Sequence, residues 1–155
     1  MSCNVPFTNV INGIILLSAL MGKQNIFLPV SIGVLCAGTT MAQLYPEGIS
    51  KKYKKSVSLL RVADLFVHWL PALVLLHTTR RRATPFHVAV SMCVPLMYFS
   101  LGFKKDSPPS LKEPFGNMLD TYPNVPRWVF ALYVAGALGT PTLQRAYHGS
   151  KILHR

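Results

Sequence analysis

Residues 57–77 read VSLLRVADLFVHWLPALVLLH. This stretch carries two formal charges, Arg61 and Asp64, and none beyond Asp64. A soluble helix distributes charge along its outer face, and this one does not. Its length is near the ~20 mostly apolar residues that a helix needs to cross hydrocarbon. Basic clusters bound it on both sides: Lys51, Lys52, Lys54 and Lys55 before, and Arg80, Arg81 and Arg82 after.

Outward from this stretch the pattern repeats. Further apolar segments run from Val5 to Gly22, Ile26 to Leu44, Pro85 to Phe103 and Pro126 to Gln144. Charged residues make up 14% of the chain, against roughly 25% in an ordinary soluble domain. The acids are few, namely Glu47, Asp64, Asp106, Glu113 and Asp120. The sequence therefore predicts one all-α membrane domain over residues 1–155, a polytopic transmembrane bundle of four to five short spans. These lie at about 5–22, 26–44, 57–77, 85–103 and 126–144, with a Pro-rich loop at 104–125. Asn9 and Asn12 dilute the first of them.

Local signals fit these boundaries. Asn25 and Ser56 stand where N-caps are expected, and Thr84-Pro85 pairs a cap with a first-turn proline. Pro126 opens the last segment in the same way. Pro29, Pro71, Pro95 and Pro141 lie inside segments. Membrane helices tolerate proline when neighbours re-satisfy the freed carbonyls, and kinks are expected near Pro71 and Pro95. Lys23-Gln24-Asn25 leaves almost no loop, so the first two segments should form a tight hairpin.

The concentrated polar face is Arg61, Asp64 and His68, spaced three and four apart and so on one side of a helix. Two readings are open. In one, Asp64 orients or charges His68 in a proton relay, an ion or substrate site, or an acid–base pair. In the other, Arg61 and Asp64 neutralise each other and His68 bonds to a neighbouring helix. Thr39, Thr40 and Gln43 on the second segment could face His68, and a threonine beside a histidine allows nucleophilic chemistry. Packing signals are clearer. Gly33 and Ala37, and Ala131, Ala135 and Gly139, are small residues at spacings of four that let membrane helices approach closely. Trp128, Tyr45 and Tyr53 suit an aromatic belt, whereas Trp69 falls near mid-span and is expected to be buried.

Neither a Gly-rich phosphate loop nor a Gly-x-Ser-x-Gly elbow or His-Glu-x-x-His occurs. His77 and His87 lack metal-ligand spacing, and Cys3, Cys36 and Cys93 form no pairing pattern. No catalytic residue, metal or cofactor is expected. The formal net charge of +11 points to anionic surroundings: anionic lipids and acidic protein subunits, with nucleic acid disfavoured because aromatic platforms do not interleave the basic clusters. Orientation is not decided by basic residues. One side collects Lys51, Lys52, Lys54, Lys55, Lys104, Lys105, Lys112 and Arg127, the other Lys23, Arg80, Arg81, Arg82, Arg145, Lys151 and Arg155. The expected function is a structural or assembly subunit of a larger membrane-associated complex, in an organellar inner membrane or the internal membrane of a large virion. The alternative is a small transporter or intramembrane enzyme working through Arg61, Asp64 and His68.

Overall fold

The computed structural model describes residues 12–13, 15–17, 24–100 and 125–149. Every regular element among them is helical: α1 Gln24–Leu44, α2 Pro46–Tyr53, α3 Val57–Thr78, α4 Pro85–Ser100 and α5 Arg127–His148. Of the expected first span, residues 12–13 and 15–17 are helical. The rest of it, and the Pro-rich connection up to residue 124, lie outside the described residues.

The helix ends follow local chemistry with two departures. Ser56 caps α3 as expected, its Oγ accepting from the Leu59 N–H at 3.3 Å. Asn25 does not cap, because α1 already begins at Gln24; its side-chain amide instead lies 3.5 Å from His87 Nε2. The connection expected at 45–56 holds the extra helix α2. Pro46 in its first turn, Glu47 beside it and lysines near its end all suit a helix and its dipole. α2 stops where Lys54 enters the left-handed region, at φ 52 and ψ 41, and its N–H bonds back to the Ser50 carbonyl.

Two internal prolines shape the bundle. Residues Leu65–Trp69 of α3 form a π turn, closed by the Leu70 N–H on the carbonyl of Leu65. Pro71 follows and has no N–H for the Val67 carbonyl, four residues back. The Asn12 amide donates to that carbonyl at 3.2 Å. In α4, Pro95 leaves the Ser91 carbonyl without its helical donor, and the Tyr133 hydroxyl of α5 takes it at 2.6 Å. The expectation that neighbours re-satisfy these carbonyls thus acquires two named donors.

α1 lies at the centre, packed most extensively on α5, next on α3 and then on α4. Leu28, Val30, Ile32 and Ala37 of α1 meet Tyr133 of α5 and Ala72, Leu75 and Leu76 of α3 in one core, which Ile15 joins. α1 and α5 approach through glycines. A Cβ on Gly33 would stand 2.8 Å from the Tyr133 carbonyl oxygen, and one on Gly136 would stand 2.8 Å from Cys36 Sγ and 2.9 Å from the Ile32 carbonyl oxygen. Only hydrogen fits at either point.

Among the described residues, two apolar stretches are long enough to cross a membrane, Asn25–Leu44 and Val57–Thr78; that in α4, Pro85–Met97, is shorter. α1 is enclosed by the other helices. α3 is mostly uncovered, presenting Leu59, Val62, Phe66, Leu70 and Leu73 to the outside at helical spacing. Trp69 belongs to that outer face at 40% exposed, against the expectation of burial. Asp64, His68, Ala72 and Leu75 set the inward face, and Trp69 falls off that line.

Candidate functional site

A concentrated polar contact joins α1 to α3 around one carboxylate. Asp64 is 2% exposed, although it belongs to a helix that is mostly uncovered. Thr39 donates its hydroxyl to Oδ1 at 3.0 Å, and Gln43 donates its amide to Oδ2 at 3.0 Å. His68 Nδ1 stands 2.6 Å from Oδ1. An ionised carboxylate only accepts, and three donors converge on this one. The side chains meet because α1 presents Thr39 and Gln43 four apart, and α3 presents Asp64 and His68 four apart.

Two neighbours complete the arrangement. The His68 ring lies against the α1 backbone at Gly38, where an added Cβ would come within 2.5 Å of Nε2. Glycine there makes room for the imidazole. Arg61 does not pair with Asp64. It is exposed, and its Nη2 donates to the Gln43 carbonyl at 3.3 Å. That carbonyl lies in the last turn of α1, where a cation is favoured. The self-neutralising Arg61–Asp64 pair is therefore replaced by Asp64–His68, and Arg61 acts one step removed, through Gln43. The reading of Thr39 as a nucleophile changes too. Its proton is directed at a carboxylate, whereas an activated hydroxyl gives its proton to a basic nitrogen. Thr40 turns back on its own helix and donates to the Cys36 carbonyl at 2.7 Å.

A second polar cluster holds the loop between α3 and α4. Gln144 of α5 is fully buried. Its Oε1 accepts from the Ala83 N–H at 2.8 Å, and its Nε2 donates to the carbonyls of Arg81 at 3.1 Å and Thr79 at 3.4 Å. One side chain thus satisfies three backbone groups of a six-residue turn. His148 Nε2 stands 2.7 Å from the Leu76 carbonyl, and His77 Nδ1 stands 3.3 Å from the Tyr147 hydroxyl. With the loop backbone held from inside, Arg80, Arg81 and Arg82 all face outward, and Arg145, the residue after Gln144 on α5, is exposed.

The other expected residues are dispersed. Lys54 and Lys55 are exposed beyond α2, whereas the side chains of Lys51, Lys52 and Tyr53 lie outside the described residues. Tyr45 and Trp128 meet edge to face, with centroids 6.2 Å apart. Gly33 and Ala37 are buried on α1. Ala131, Ala135 and Gly139 sit on the exposed side of α5, and a Cβ on Gly139 would meet nothing within 4 Å. The buried stripe of α5 is instead Val129, Tyr133, Ala137, Thr140 and Gln144. His87 caps α4 in reverse, its Nδ1 accepting from the Thr84 N–H at 3.0 Å. Among the described residues, His, Cys, Asp and Glu form no group of three that could hold a metal.

Gln144, Gly38 and Gly136 were not singled out from the sequence. Gln144 carried a signal in being an amide at the end of an apolar run. The acids carried another. None occurs in residues 1–46, 65–105 or 121–155, so the end of the bundle bearing the arginine loop draws on acid-free segments. Counting basic residues alone concealed this asymmetry.

No family model, curated protein or solved structure matches the chain.

Proposed function

We propose that this chain is an integral membrane protein of four to five short spans that serves as a structural or assembly subunit of a larger membrane-associated complex. The observation that carries the reading is the distribution of side chains on α3. Its apolar residues Leu59, Val62, Phe66 and Leu73 face out, and its carboxylate faces in. That order suits a hydrocarbon surround, since a charge facing lipid at mid-span costs at least about 2.5–3.5 kcal/mol. At ~1.5 Å rise per residue the helix extends about 33 Å, enough to cross. The buried polar groups join helix to helix: Asp64 to Thr39 and Gln43, and Gln144 to the α3–α4 loop. The basic clusters at the helix ends suit anionic lipids and acidic subunits, and an organellar inner membrane or the internal membrane of a virion offers both. Extraction in gentle detergent tests the reading. A defined stoichiometric set of co-purifying proteins is the expected result, and a lone monomer counts against it.

The 2.6 Å contact between Asp64 and His68 supports a second reading, a small transporter or intramembrane enzyme. A carboxylate on Nδ1 fixes the imidazole's orientation and tautomer, as in acid–base sites. In an active preparation, Asp64→Asn separates the two. Unchanged activity with normal assembly removes the site as a mechanism.

A further inference from the structure

We propose that the loop of Arg80, Arg81 and Arg82 is a binding site for the phosphate of anionic phospholipids, presented at the membrane surface by Gln144. This rests on the membrane reading above and names one partner within it.

Four observations converge. The loop begins directly after Thr78, the last residue of the uncovered apolar helix. Arg80 then stands two residues beyond the hydrocarbon-length stretch, at head-group depth. Phe86, in the first turn of α4 and four residues after Arg82, is 67% exposed. An apolar ring so close in the chain to guanidinium groups suits a lipid boundary, where the ring meets acyl chain and the cations meet phosphate. The described segments forming this end contain no Asp or Glu to pair with the arginines. Lastly, Gln144 holds the loop backbone through three bonds from a fully buried position. Its side chains are thereby turned outward, and guanidinium groups engage phosphate oxygens in pairs.

The full chain in vesicles tests this, using phosphatidylcholine or phosphatidylglycerol brominated on the acyl chains as quenchers. Trp69 and Trp128 are the only indoles. Trp128→Phe leaves Trp69 as a reporter of insertion. A second chain with Trp69→Phe, Trp128→Phe and Phe86→Trp places the indole beside the loop. Both lipids should quench Trp69 alike. The indole beside the loop should prefer the anionic lipid by about fivefold or more, which corresponds to one arginine at about 1 kcal/mol. Adding Arg80→Gln, Arg81→Gln and Arg82→Gln to both chains should bring that preference to unity in the second with helicity intact, and leave Trp69 quenching unchanged in the first. If that variant does not fold, salt near 1 M, where the Debye length is about 3 Å, should collapse the preference in the reporter chain. Equal quenching by both lipids, or a preference that survives the triple substitution or the salt, overturns the proposal. So does displacement of the lipid by inorganic phosphate or polyglutamate at matched ionic strength, which would assign the loop to a soluble anion or an acidic protein. Absence of Trp69 quenching overturns the membrane reading, and the site with it.

Discussion

The Tyr133 hydroxyl donates at 2.6 Å to the Ser91 carbonyl, the group that Pro95 deprives of its helical partner. A defect in α4 is thereby repaired from α5. Tyr133→Phe should lose about 1–2 kcal/mol, since it leaves a buried carbonyl unsatisfied. Pro95→Ala restores an N–H to the same carbonyl, so Tyr133→Phe should cost clearly less in that background. A double-mutant cycle in detergent measures this, and a coupling near zero would show that the hydroxyl and the proline act independently.

The Asp64 cluster should behave as a unit. Asp64→Ala leaves Thr39, Gln43 and His68 facing a void and should destabilise by roughly 3–5 kcal/mol, the range for removing one partner of a buried pair. Arg61→Gln should cost under about 1 kcal/mol, because Arg61 is exposed and bonds a helix-terminal carbonyl. Unfolding by denaturing detergent ranks the two, and an equal loss would restore Arg61 as the direct partner of the carboxylate.

Glycines on the two faces should respond with opposite signs. Gly38→Ala drives a methyl into the His68 ring, with contacts from 2.5 Å, and should destabilise by about 1–3 kcal/mol. Gly139→Ala meets open space and should stabilise α5 by about 0.5–1 kcal/mol through helix propensity. Melting temperatures of the two variants, shifted in opposite directions from the parent, are the expected readout.

Lys54 holds a left-handed conformation, with φ 52, that glycine adopts without strain. Lys54→Gly should therefore stabilise the end of α2, or leave it unchanged once the looser unfolded chain is counted, within about 1 kcal/mol. Hydrogen exchange at the Lys54 and Lys55 amides reports on this turn. Markedly faster exchange in the variant would contradict the strain argument.

The Thr79 hydroxyl is buried with no hydrogen-bond partner among the described residues. Thr79→Val keeps the shape and removes the orphaned group, so it should be neutral or stabilising by up to about 1 kcal/mol. A clear loss of thermal stability would mean that the hydroxyl has an unrecognised partner.

Period and composition were enough to establish helices, their approximate limits, and one inward polar face holding Asp64 and His68. Apolar runs and residues spaced three or four apart are local properties of a chain. Ser56 as a cap was legible for the same reason. Partner choice was not. Nothing in the spacing of Arg61, Asp64 and His68 separates an arginine from a histidine as the mate of the carboxylate. The choice fell when α1 brought Thr39 and Gln43 to Asp64 and its Gln43 carbonyl drew Arg61 away. Ala131, Ala135 and Gly139 carried the same small-residue spacing as a packing stripe, yet α5 turned Tyr133, Gly136 and Ala137 inward instead. A helix has several faces of similar composition, and only the neighbouring helix selects one. Gln144 shows the limit most clearly. A buried amide needs partners, but that they are three backbone groups of a loop sixty residues earlier in the chain is decided by tertiary packing alone.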